Sequence, residues 1–351
     1  MGASASQDVA ADRYSTTRII GHGTFGKVEA AIDTRSGAEV AVKTVELLDA
    51  QQRGLLPRLR MEIAALALLR GSAHVVQLVE VLASQTSVHI VLELISGGNL
   101  LQLIVREGAL TQARARKHLR DVVAGLAHCH ACGVCHRDIK PENLLIDAFG
   151  RVRLSDFGFA EVRRAGFAGA ARSDAHGSAS DGLLYAMCGT PNYAAPEVFS
   201  GAGYDGFLAD VWSCGVLLLV LFTGKMPFDH PSMRALLARI AAAEYTMPAS
   251  LSSDAKDLIS KILEPDPSRR CTLRQVAQHP WLRSEAADDD AVQPEREPTE
   301  GVAAMAPRPR TGQGQGADDV DEEHVNAFGL LARSDLLDMT VLLAGPSLRS
   351  A

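Results

Sequence analysis

With 351 residues, 47% hydrophobic content and a net charge of −7, the chain can bury a large core and carries no basic stripe for nucleic acid. No apolar run reaches the roughly 18 residues of a membrane-spanning helix, and the greasiest stretch, Val211 to Phe222, reads as a buried helix. Six cysteines in a chain of this length make no disulfide framework, so the expected setting is a reducing cytosol.

Residues 1–13 read as a flexible lead without the apolar core of a secretory signal. Met1-Gly2-Ala3-Ser4-Ala5-Ser6 fits the pattern for N-myristoylation, against the plain reading of a start that merely begins with glycine. No cysteine or basic cluster lies beside it, so a single acyl chain would give weak, reversible membrane residence. Gly21-His22-Gly23-Thr24-Phe25-Gly26-Lys27-Val28 follows. Alone, its G-x-G-x-x-G is weak, because a dinucleotide-binding turn shares it. That alternative wants a helix next, whereas here an apolar strand ending in lysine follows, Val40-Ala41-Val42-Lys43. A helix around Leu59–Leu69 then carries Glu62.

Further on, Cys135-His136-Arg137-Asp138-Ile139-Lys140-Pro141-Glu142-Asn143 sets an acid, a lysine and an amide within six residues. The order suits phosphoryl transfer: a hydroxyl must lose a proton, the moving phosphoryl must be shielded, and a magnesium ion must be held. Asp156-Phe157-Gly158 comes 18 residues after Asp138, and Ala195-Pro196-Glu197 closes the next segment. Cys132-Gly133-Val134-Cys135-His136 also matches a haem-attachment pattern, and His128, Cys129, His130 and Cys132 could hold zinc. The blander reading is preferred: these residues pack beneath the loop and His136 belongs to it.

Five motifs in this order resemble the protein kinases, and Lys140, two positions after the acid, matches their serine/threonine branch. The resemblance implies an α+β, two-lobed fold over residues 14–283, with a small β-rich lobe to about 94 and a larger α-helical lobe from about 97. It implies ATP between the lobes, under the loop Gly21, His22, Gly23, Thr24, Phe25 and Gly26. Val28, Ala41 and Leu145 would line the adenine pocket, Leu92 would be the gatekeeper, and Glu93-Leu94-Ile95 the hinge. Lys43 would grip phosphates with Glu62 holding it straight, and Asn143 and Asp156 would hold Mg2+. Asp138 would take the proton of the substrate hydroxyl, Lys140 would shield the phosphoryl, and Thr190 would bond that pair. As structural parts it implies Asp210 anchoring the loop backbone, an ion pair Glu197–Arg270, and a spine of Leu66, Leu78, His136 and Phe157.

Two positions depart from the pattern. Related kinases place a phosphate-accepting threonine where Ala186 stands, so the usual partner of Arg137 is absent, with Ser173, Ser178, Ser180 and Tyr185 as nearby substitutes. Asn99 replaces a glutamate that contacts ribose and basic substrates, leaving Glu142 as an acidic contact.

Residues 284–323 hold 12 acids against 3 arginines, a local charge of −9 that leaves +2 for the rest, and read as a disordered tether. After it, Ala327, Leu330, Leu331, Leu337 and Val341 recur at helical spacing within residues 324–343. The Asp181-Gly182-Leu183-Leu184 to Val198 segment and Asn326-Ala327-Phe328 are similar to the kinases that bind calcineurin-B-like (CBL) calcium sensors. That resemblance implies a non-specific serine/threonine kinase, monomeric, acting on protein substrates, whose tail restrains it until an EF-hand partner takes residues 325–341. The related kinases continue with a longer C-terminal domain, whereas here residues 344–351 read as a short tail. The setting is cytoplasmic, with peripheral membrane contact if Gly2 is acylated. A metabolic kinase of the SNF1/AMPK type and a non-catalytic pseudokinase scaffold are the alternatives.

Overall fold

The computed structural model describes residues 13–23, 26–163 and 183–284. The lead 1–12, Thr24, Phe25, the serines Ser173, Ser178 and Ser180, the acidic segment after Ser284 and the Asn326-Ala327-Phe328 segment with its expected helix lie outside the described residues. Two units emerge: the first holds residues up to Leu59 together with Leu78–Leu94, and the second holds Arg60–Gln77 and the residues from Ile95 on.

The first unit is a five-stranded antiparallel sheet, ordered β1-β2-β3-β5-β4. Its strands are β1 (Tyr14–Gly23), β2 (Gly26–Asp33), β3 (Glu39–Glu46), β4 (Leu78–Ala83) and β5 (Ser87–Glu93). The β-branched run Val40, Val42, Val45 favours the central strand β3, which is buried along most of its length. Tyr14, Ala31, Val40, Val42 and Val91 form a core cluster on one face, with Leu82 against it. A short helix, α1 (Leu47–Gln52), leads from β3 towards α2 (Leu56–Leu68).

By sequence the small lobe runs to about residue 94; from Arg60 to Gln77, most of α2 included, the chain is grouped with the second unit. The cause is backbone bonding: Val76 donates to the Leu154 carbonyl at 2.9 Å, and Leu154 donates to His74 at 2.9 Å.

The second unit is helical, with α3 (Leu100–Glu107), α4 (Gln112–Ala131), α5 (Gly206–Thr223), α6 (Met233–Ala241), α7 (Ser253–Ile262), α8 (Leu273–Gln278) and α9 (Pro280–Arg283). Between α4 and α5 run the small ladders β6 (Val134–Cys135) with β9 (Glu161–Val162), and β7 (Leu144–Ile146) with β8 (Val152–Leu154). Asp205 caps the start of α5, accepting from the Phe207 amide at 2.9 Å, and Gly224 ends it in the left-handed region. Among the described residues α5 is long and apolar enough to cross a membrane, yet it is mostly buried in its own unit, with Trp212 fully enclosed. A helix apolar on all sides is what a position in the centre of a helical core requires.

Candidate active site

The loop from His136 to Asn143 leaves β6 and is fixed from below by one buried carboxylate. Asp210, on α5 and fully buried, accepts from the His136 amide at 2.9 Å and the Arg137 amide at 2.7 Å. His130 Nε2 adds a contact at 2.9 Å to the same carboxylate. These bonds hold Arg137 at φ 65°, a backbone state uncommon for a residue with a side chain. His136 Nδ1 accepts from the Asp138 amide at 3.2 Å while Nε2 donates to the Ser155 carbonyl at 3.0 Å, which fixes the neutral tautomer with its proton on Nε2. The ring meets Phe157 at 4.8 Å, and Leu66, Leu78, His136 and Phe157 are all buried.

Asp138 is only 3% exposed and receives four donors. Its Oδ1 accepts from the Thr190 amide at 3.0 Å and the Thr190 hydroxyl at 2.9 Å. Its Oδ2 takes the Asn143 Nδ2 at 2.9 Å and the Lys140 ammonium at 2.8 Å. Lys140 also donates to the Thr190 hydroxyl at 2.8 Å. Thr190 reaches the loop because Gly189, at φ 86°, lies where an added Cβ would meet the Arg137 carbonyl at 2.5 Å.

Asn143 spends its amide hydrogens on Asp138, donating to the backbone carbonyl at 2.8 Å as well as to the carboxylate, so its side-chain oxygen is left as an acceptor. Asp156 follows in sequence space, with φ 58°, a strained state of the kind that clusters at functional sites. The Ser155 amide donates to the Asn143 carbonyl at 2.9 Å, tying these two positions together through backbone. An amide oxygen and a carboxylate are hard oxygen donors of the type Mg2+ takes.

In the first unit, register decides which residues share a face. Val28 pairs with Lys43, and Ala41 pairs with Leu92. Directly opposed residues point to the same side, as do residues two apart, so Val28, Ala41, Lys43 and Leu92 lie on one face, opposite the Val40–Val42 cluster. Gly21 pairs with Val28 and Gly23 with Gly26 in the β1–β2 hairpin. Gly26 is required by its own sheet: at φ 154° an added Cβ would collide with the Thr44 carbonyl on β3. Lys43 and Glu62 are both nearly fully buried, 4% and 1% exposed. Glu93 ends β5 opposite Val40, Ile95 opens the second unit, and Leu145 bridges Asn99.

Arg270 closes a bidentate pair on Glu197 at 2.5 and 2.8 Å, as the motif order implies. Asn99 has a local reason to be there, since it caps α3: its Oδ1 accepts from the Gln102 amide at 2.9 Å, and Gln102 reciprocates at 3.1 Å. Burial raises the Glu142 pKa. Cys129 and Cys135 are buried and their thiols are pushed up by that burial, while Cys135 donates to the Glu161 carbonyl at 3.6 Å. His130 packs beneath the loop as expected, bonding its anchor Asp210, whereas sequence reasoning missed Glu161 and Tyr204, which touch Arg137 from 24 and 67 residues along the chain.

Comparison with known proteins agrees with this geometry. The family described as protein kinase domain matches residues 14–282. The chain is 38% identical over 332 residues to putative CBL-interacting protein kinase 27 of Oryza sativa subsp. japonica, covering 94% of this chain and 77% of that protein. It is 38% identical over 332 residues to CBL-interacting serine/threonine-protein kinase 8 of Arabidopsis thaliana, covering 94% and 71%. With CBL-interacting serine/threonine-protein kinase 26 of Arabidopsis thaliana, identity is 42% over 271 residues, or 77% of this chain and 59% of that one. The chain therefore belongs to the protein kinase family and is an ATP-using serine/threonine kinase of the CBL-interacting type.

Proposed function

We propose that Asp138 is the base of this kinase and that Lys140 is the group that makes way for the substrate. The observation that carries the reading is the set of four donors on one buried carboxylate. A carboxylate has about four lone-pair sites, so the substrate hydroxyl must displace one donor. Lys140 is the candidate, because its side chain is 19% exposed whereas that of Asp138 is 1% exposed. As the hydroxyl oxygen bonds to the γ-phosphorus of ATP and the bond to ADP breaks, Asp138 takes the hydroxyl proton. Lys140 moves to the phosphoryl oxygens and offsets their charge. Thr190 keeps Oδ1 fixed throughout. Within the first unit, Lys43 grips the nucleotide phosphates, with Gly21, His22, Gly23, Thr24, Phe25 and Gly26 as the phosphate-binding residues. Val28, Ala41 and Leu92, on one face of the first unit's sheet, and Glu93 at the end of β5 meet adenine. Asn143 and Asp156 would hold Mg2+, which supplies charge neutralisation at the phosphates. Pre-steady-state assays test the roles. Lys140→Met should lower the phosphoryl-transfer rate while leaving ATP affinity unchanged, and an unchanged rate would refute the part given to Lys140.

The tail supplies regulation in the same reading. Similarity to two of the relatives named as CBL-interacting spans 332 residues, too many for residues 14–282 to hold alone. Residues 284–323 act as tether, and the segment 324–343 restrains the kinase until a calcineurin-B-like EF-hand protein takes residues 325–341 in its apolar groove. The kinase acts in the cytoplasm as a monomer, with peripheral membrane contact only if Gly2 is acylated. A peptide of residues 320–345 should retain such a sensor only with calcium present. Equal activity of the full chain and of a chain ended at residue 284 would rule out restraint by the tail.

A further inference from the structure

Arg137 precedes the proposed base, and burying its guanidinium requires a counter-charge. The second unit provides one from inside. Glu161 is held opposite Cys135 in the β6–β9 ladder, two positions from Arg137, and its carboxylate meets the guanidinium at 3.1 Å. The other donors are spent on fixed oxygens: Nε on the Phe159 carbonyl at 2.7 Å, Nη2 on the Ala160 carbonyl at 3.4 Å, and Nη1 on the Tyr204 hydroxyl at 3.4 Å. Tyr204 passes the chain on, donating to the Ala186 carbonyl at 3.0 Å. One side chain thus ties the residues just after Asp156-Phe157-Gly158 to the position where a phosphate-accepting threonine stands in related kinases.

We propose that Glu161 is a positioning residue for the reaction: it is the built-in anion that holds Arg137, and through it Asp138, in working geometry without a phosphate on the activation loop. A phosphate would bring a charge of about −2 to this guanidinium, whereas one carboxylate matches its single charge. The inference rests on the reading of Asp138 as base, and the two can fail separately.

The full chain is treated with phosphatase, checked by mass spectrometry for absence of loop phosphate, and assayed on a protein substrate. Wild type should keep its turnover. Glu161→Gln should lower kcat about ten- to a hundredfold, the scale of a misplaced catalytic group, with the KM for ATP unchanged. Glu161→Asp should recover part of the loss. In an Arg137→Ala background, Glu161→Gln should cost nothing more, an outcome a merely structural role would not give. Loss of wild-type activity on dephosphorylation overturns the proposal even if Glu161→Gln melts early. So does Glu161→Gln turnover equal to wild type, or an equal loss in the Arg137→Ala background. Asp138→Asn with wild-type turnover would instead overturn the reading of the base and leave the Glu161–Arg137 contact intact.

Discussion

The sheet face of the first unit and the loop of the second place their functional side chains by different physics. On the sheet, Lys43, Ala41, Leu92 and Val28 share a side because antiparallel register leaves no choice. In the loop, Asp138 and Arg137 are set by individual polar contacts from Asp210, Thr190 and Glu161, bonded across 24 to 74 residues of chain. A ladder averages over many bonds, so one altered side chain shifts little. A loop hung on single buried acceptors has no such redundancy.

That contrast can be broken most forcefully at its anchor. Asp210→Ala removes the acceptor of two buried amides and should cost about 3–5 kcal/mol along with kinase activity, read by thermal melting and a phosphorylation assay. A melt within a degree of wild type would mean the loop holds itself. Asp138→Asn tests the chemistry on the same loop, with an expected fall in kcat of about 10²–10⁴ and little change in the KM for ATP. On the sheet, Leu92→Met keeps volume and face, so it should cost under about 1.5 kcal/mol and leave turnover close to wild type. A loss as large as that of Asp138→Asn would erase the distinction between the regions.

A last effect, spread over a pH window, concerns another buried polar group of the second unit. His118 on α4 is 6% exposed, and burial, then the Arg114 and Lys117 charges, push its pKa from 6.5 down to about 4. The folded value lies below the unfolded one, so the unfolded chain binds a proton first as pH falls. Stability contributed by neutral His118 is therefore present above about pH 6.5 and is lost towards pH 4, at no more than about 1.4 kcal/mol per pH unit. Melts of His118→Gln across this window should show a shallower pH slope than wild type.

What could be read in the sequence follows the same division. Val40-Ala41-Val42-Lys43 announces a strand and its lysine through apolar character, and residues 136–143 announce the loop through residue types at fixed spacing. Asp210 and the Glu197–Arg270 pair were legible through resemblance, and their contacts are present at 2.9 and 2.7 Å and at 2.5 and 2.8 Å. Glu161 was not, because nothing in Ala160-Glu161-Val162 says that a two-residue ladder will set its carboxylate against Arg137. Asn99 looked like a lost substrate contact until the capping box of α3 gave it a local task. The division of α2 between the units was equally hidden, since helical spacing says nothing about which neighbour the following backbone will bond.

The four donors around Asp138 also bear on what the enzyme does when no protein substrate is present. A fully subscribed carboxylate has no free lone pair with which to deprotonate water. Water reaching the γ-phosphate would have to dislodge Lys140 without the binding energy a peptide brings. On the proposed reading of Asp138 as base, this arrangement would disfavour futile hydrolysis and tie ATP consumption to the arrival of a substrate hydroxyl.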